Sequence, residues 1–125
     1  MNQGSHKGHF SFSRKERISE KKIIDDLFNN GKKFNEYPFD IRFLNQDIKS
    51  DSLSRVLTTV SSSKIKSAVK RNLLKRRIKE SYRKNKDIIS NKSLMIAFVY
   101  VSDEILIYSV IDDAVIKILK KLSRV

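Results

Sequence analysis

The chain has no cysteine, no tryptophan, three glycines, one proline and two histidines among its 125 residues. Without cysteine there is no disulfide, no thiolate nucleophile and no cysteine-based zinc site, a usage that suits a reducing interior and a cytoplasmic address. The chain also lacks a signal-like N-terminus and any apolar run near the roughly 20 residues of a membrane helix. With no tryptophan opposite its basic stretch it makes a poor amphipathic anchor, so a membrane is not the expected partner. Gly4, Gly8 and Gly31 are too few and too scattered for a phosphate-cradling loop. His6 and His9 stand in the aperiodic opening "MNQGSHKGHF", where "GSH" resembles an expression-tag scar; they read as tail residues rather than metal ligands. Negative charge is the most telling shortage: 14 acids face 27 bases, a net +13 that exceeds what solubility needs. The excess points to an anionic partner, and nucleic acid fits it better than a bilayer.

A length of 125 residues fits one domain with a single modest core. Residues 1–10 are expected to form a tail and 11–125 the domain. A helix is expected over 19–30, capped by Ser19, with Ile23, Ile24, Leu27 and Phe28 on its apolar face and Gly31 as a left-handed stop. In "YPFDIRFL" Phe39, Ile41 and Phe43 alternate with Asp40 and Arg42, the period of a half-buried strand that Pro38 introduces. "RVLTTVS" reads as another strand, pairing with the first in an antiparallel hairpin or meander. A polar connection, "SSSKIK", has little to hold it rigid. After a basic helix over about 67–85, "SLMIAFVYVS" is a continuous apolar run suited to a central strand covered on both faces. "SVIDDAVIKILKKLSRV" then places Val110, Ile111, Ala114, Val115, Ile118, Leu119 and Leu122 on a helical stripe. Its Asp112 and Asp113 read as helix-start acids rather than a catalytic pair. The expectation is an α+β sandwich on a mixed four-stranded sheet, in the order α β β β α β α, with the basic helix crossing between two strands that can run parallel.

From Lys64 to Lys86 there are eleven bases and one acid, Glu80. At 100° per residue Leu74, Ile78 and Tyr82 share a stripe that can anchor the helix, while Asn72, Lys75, Arg76, Lys79 and Arg83 fall on a neighbouring arc. Like charges four apart, such as Lys75 and Lys79 or Lys79 and Arg83, cost a few tenths of a kcal/mol each, a penalty that a phosphate backbone removes. A merely solvated face usually mixes signs, which this one does not.

The segment "AVKRNLLKRRIKESYR" resembles the signature of the protein subunit of bacterial ribonuclease P, usually written Arg-Asn-Arg followed by Lys-Arg. "FSFSRKERISEKKIIDDLFNNGKKF" is similar to that family's opening helix, "VLTTVSSSKIKSAVKRN" to the strand entering the signature, and "MIAFVYVS" with "IDDAVIKILKKL" to its last strand and helix. The resemblance spans about residues 10 to 123 in matching order. It implies a left-handed βαβ crossover through the basic helix, against the usual hand. It also implies an accessory subunit that binds the catalytic RNA and the 5′ leader of precursor tRNA, one protein per RNA, with Mg²⁺ and the hydrolysis belonging to the RNA. By the same resemblance Lys70, Arg71, Asn72, Lys75, Arg76, Lys79 and Arg83 face RNA, and a cleft with Ile24, Phe28 and Arg42 receives the leader. Leu73 stands where the motif has its second arginine, with Lys70 or Arg77 as the expected substitute. Ile24 replaces one cleft aromatic, and Arg42 occupies a position often aromatic in relatives. The alternative class is a ribosomal or other module docking its basic helix on a duplex without supporting cleavage. A self-sufficient nuclease lacks the acids and histidines it needs.

Overall fold

The computed structural model describes residues 14–46 and 53–125. The expected tail, His6, His9 and most of the turn after Asn45 lie outside the described residues. A 3-10 turn, Arg14–Glu16, leads into α1 (Lys21–Asn30), β1 (Lys32–Glu36), β2 (Phe39–Asn45), β3 (Arg55–Val60), α2 (Ala68–Asn85), a second 3-10 turn (Lys86–Ile89), β4 (Leu94–Tyr100) and α3 (Tyr108–Leu122). The sheet order is β1-β2-β4-β3. β1 and β4 both run antiparallel to β2, while β3 and β4 run parallel.

The α+β class, the four strands and the parallel pair joined by α2 agree with the expectation. β2 and β3 do not form a hairpin, because β4 lies between them. The hairpin is β1–β2, turning at Tyr37 and Pro38. β1, "KKFNE", carries one large apolar residue, Phe34, and its polar rest hides the strand period.

Alternation divides the sheet into two faces. Phe39, Ile41, Phe43, Val56, Val60, Leu94, Ile96, Phe98 and Tyr100 pack beneath α2 and α3 in the main core. On the other face α1 seats Leu27 beside Ile18 on Ala97, bordered by half-buried Ile24, Phe28, Leu44, Leu57, Met95 and Val99. β4, inner in the sheet and covered on both sides, is the strand that its unbroken apolar run predicts.

The start of α1 departs from expectation. Arg17 bridges Val56 in parallel and the Ile18 N–H donates to the Val56 carbonyl, so the chain stays extended past Ser19. The helix therefore begins at Lys21 with Glu20 as its flanking residue and no side-chain cap. Gly31 is not left-handed, with φ −70°. Its glycine character answers a close approach instead: a Cβ there would lie 2.3 Å from the Leu27 carbonyl oxygen. The connection before α2 is also firmer than expected. Ile65 is buried in the core, the Lys64 and Ile65 N–H groups donate to the Ser61 carbonyl, and Ser67 caps α2 by accepting from the Lys70 N–H. In α3, Val110 falls outside the buried stripe and is exposed.

Candidate nucleic-acid interface

α2 holds its charge because one side is nailed to the core. Leu74, Ile78 and Tyr82 are buried, as is Ser81. Full burial of Leu74 and Ile78 is worth roughly 1.5 to 3 kcal/mol each, which outweighs the few tenths lost at each like-charged pair. Two polar ties fix the helix further. The Ser81 hydroxyl donates to Asp112 Oδ1 of α3 at 2.6 Å, and the Asn85 amide donates to the same oxygen at 3.0 Å. Separately, Lys86 pairs with buried Glu16 at 2.8 Å, joining the end of α2 to the segment before α1. Asp112 is thus an interhelix brace, more than the helix-start acid that its position in the sequence suggests, whereas Asp113 remains exposed.

The seven expected RNA-facing residues are all on α2, but they are not equally available. Arg71 spends its guanidinium on the carbonyls of Ile65 and Lys66, at 2.8 and 2.9 Å. Arg83 forms a two-pronged pair with Glu80, at 3.0 and 2.7 Å, and this contact holds the Glu80 carboxyl below its ordinary range. Lys70, Asn72 and Arg76 are exposed, with Lys75 and Lys79 half-buried between them and the body of the protein. The Lys79 ammonium titrates below the usual lysine range, through partial burial first and then the positive charges of Arg17 and Lys75. An anion placed there would counter the two like charges. Arg77 does not substitute for the motif arginine missing at Leu73; it turns toward α3 and donates to the Leu106 carbonyl at 2.6 Å.

The structure also brings Ile24, Phe28 and Arg42 together, on the opposite face of the sheet. Arg42 donates to the Phe28 carbonyl at 3.0 Å and lies 5.3 Å from the centroid of the Phe28 ring. Across the sheet Arg55 donates to the Arg17 carbonyl at 2.9 Å and to Glu20 Oε1 at 2.8 Å, pulling the Glu20 carboxyl down to about 2. The two arginines hold α1 at its two ends.

Sequence reasoning missed the place where the two faces meet. An open notch of about 190 Å³ lies at the outer edge of β3, lined by Arg17, Ile18, Ser19, Val56, Leu57, Thr58 and Lys79. It joins the apolar strip beside α1 to the cationic row of α2. Arg17 reaches it only because residues 17 and 18 run along β3, a pairing that no local pattern signals. Among the described residues no group of three or more histidines, cysteines or acids converges as a metal site. No described helix is long and apolar enough to cross a membrane.

Comparison with known proteins follows the same lines. Residues 12–123 match the family model for Ribonuclease P. The Ribonuclease P protein component of Porphyromonas gingivalis is 31% identical over 120 residues, covering 91% of this chain and 88% of that protein. Among solved structures, the RNase P protein of Thermotoga maritima superposes with a TM-score of 0.73 at 22% identity, over 85% of this chain and 96% of that one. The Staphylococcus aureus RNase P protein gives 0.71 at 23% identity, over 84% and 95%.

Proposed function

The chain belongs to the ribonuclease P protein family, and from that premise we propose how its two surfaces serve removal of the 5′ leader from precursor tRNA. It is an RNA-binding subunit of the ribonuclease P ribonucleoprotein, with ribonuclease P RNA as its partner. In our reading Lys70, Asn72, Lys75, Arg76 and Lys79 grip the phosphate backbone of that RNA. Arg71 and Arg83 add charge while holding the connection and the helix surface in place. One protein serves each RNA, in the cytoplasm where precursor tRNA is processed.

The leader, in this reading, passes through the cleft beside α1. Phe28 offers a ring on which a base can stack, worth roughly 1 to 3 kcal/mol. Arg42 adds a fixed positive charge over that ring, Ile24 an apolar wall, and the notch at Arg17 and Lys79 leads the strand from the cleft to the α2 edge. Asp112, bonded to Ser81 and Asn85, is committed to bracing the two helices. In this reading hydrolysis and its Mg²⁺ belong to the RNA, and the protein's part is binding.

The observation that carries the proposal is the row of Lys70, Lys75, Arg76 and Lys79 on a helix pinned by buried Leu74, Ile78 and Tyr82, with Lys79 lining the notch beside β3. The test is cleavage of precursor tRNA by a ribonuclease P RNA at low Mg²⁺, with the protein, without it, and by the protein alone. Cleavage at the mature 5′ end only when both are present supports the reading. Binding without stimulation, or cleavage by the protein alone, overturns it.

A further inference from the structure

The α2 edge does not exhaust the positive charge of the molecule. Lys117 and Lys120 share one stripe of α3, and Arg124 follows in the turn just past its end, at three- and four-residue spacing. That stripe points away from buried Ile111, Val115, Ile118 and Leu122. All three side chains are exposed, and none has an ion pair among the described residues. Lys121 borders the row and ties it to the edge strand: its ammonium is 3.3 Å from Glu36 Oε1 and 5.2 Å from the centroid of the Phe34 ring. Lys32 of β1 lines an open depression with Phe43 and Val125, the residue that follows Arg124. Glu36, already paired, and Asp113, one turn before Lys117, are the acids beside it.

Two ordinary explanations each cover part of this surface. Cations in the last turn of a helix suit its dipole, which accounts for Lys120 and Lys121 but leaves Lys117 a turn too early. A lysine on an edge strand deters strand-to-strand aggregation, which accounts for Lys32 alone. Neither explains why the two elements present their cations side by side. The position is equally informative. α2 packs over β3 and α3 reaches β1, so the two cationic rows sit at opposite ends of the strand order. Packed helices have axes about 8 to 10 Å apart, and cations pointing outward from each are farther apart still. Near-physiological salt screens exposed charges beyond about 8 Å, so the rows act as two separate clusters of charge.

We propose that the Lys117, Lys120, Arg124 and Lys32 edge is a second RNA-contacting surface, taking backbone phosphates of a segment distinct from the one on α2, so that the protein bridges two parts of its RNA. The inference rests on the RNA-subunit reading. Lysine ammonium groups are point charges without a planar fork, so the second surface recognises phosphate and position rather than base sequence.

The absence of cysteine makes the test direct, since a single introduced thiol carries a reagent alone. An iron chelate that cleaves nearby RNA is attached in turn to Lys120→Cys and to Arg76→Cys, each assembled with ribonuclease P RNA. Two separate sets of cuts are expected. Cuts from position 76 with none from position 120, or two coincident sets, overturn the bridge; no cuts from either position overturn the RNA-subunit reading itself. In parallel, the combined Lys117→Gln, Lys120→Gln and Arg124→Gln protein should bind that RNA with a salt dependence shallower by up to about 2.7 in log–log slope, at roughly 0.9 for each phosphate no longer neutralised. A slope equal to that of the unsubstituted protein also overturns the proposal.

Discussion

Replacing Asp112 by alanine should cost far more stability than replacing its neighbour Asp113, although both acids sit in the same part of α3. Asp112 Oδ1 accepts from Ser81 at 2.6 Å, from Asn85 at 3.0 Å and from the Tyr108 hydroxyl at 3.3 Å. Ser81 is fully buried, so its hydroxyl would lose a charged acceptor that water cannot readily replace. A hydrogen bond to a charged group contributes about 1.5 to 3 kcal/mol, and stranding a buried donor costs about 1 to 3. Tyr108 and Asn85 are part-exposed, and Asn85 keeps its bond to the Ser81 carbonyl at 2.8 Å, so they add little. The expected loss for Asp112→Ala is about 2 to 4 kcal/mol, at roughly 4 °C per kcal/mol a fall in Tm of about 8 to 16 °C. Exposed Asp113→Ala should stay within about 0.5 kcal/mol. Thermal unfolding followed by circular dichroism gives both shifts, and a cycle with Ser81→Ala should show the two losses to be non-additive. Equal shifts for the two aspartates would refute the brace.

Three further outcomes are expected. Replacing Lys75, Arg76 and Lys79 together by alanine should flatten the log–log salt dependence of binding to ribonuclease P RNA by up to about 2.7, read by filter binding; an unchanged slope denies that this edge meets phosphate. Gly31→Ala should destabilise by about 1 to 3 kcal/mol in denaturant unfolding, because its Cβ has no room beside the Leu27 carbonyl. Glu20 is held at about 2 against an ordinary 4.5, chiefly by the Arg55 hydrogen bond. A depressed carboxyl stabilises the fold above its unfolded pKa and ceases to do so as pH falls through the folded one. Any stability advantage over Glu20→Gln should therefore be present at pH 6 and close between about 4.5 and 2; an advantage that persists at lower pH would contradict the pairing.

The parts of the fold that local pattern controls were legible. β4 declared itself by an unbroken apolar run, α2 by Leu74, Ile78 and Tyr82 at four-residue spacing, and the α2 edge by charge of one sign. What escaped was set by contacts distant in sequence. β1 has one large apolar residue and exists because β2 offers it a partner. Arg17 and Thr58 line the notch because residues 17 and 18 lie along β3. Arg71, Arg77 and Arg83 look like free cations in a basic helix, yet each meets an acceptor: carbonyls at Ile65, Lys66 and Leu106, or the Glu80 carboxylate. Composition reports how many cations a helix has, and only geometry reports how many remain to bind.

The strand order carries a consequence in time. β3 has one neighbour in the sheet, β4, and β2 has β4 on its inner side, yet β4 is the last strand to be synthesised. A chain made at roughly 5 to 20 residues per second therefore completes α2 about one to three seconds before the strand that seats it. Until residues 94–100 emerge, Leu74, Ile78 and Tyr82 have no Phe98 or Ile96 to pack upon. The nascent chain thus presents its densest charge on an unanchored segment, in the company of the ribosome's own RNA. Completion of β4 is the event that converts a loose polycation into a surface with a defined shape.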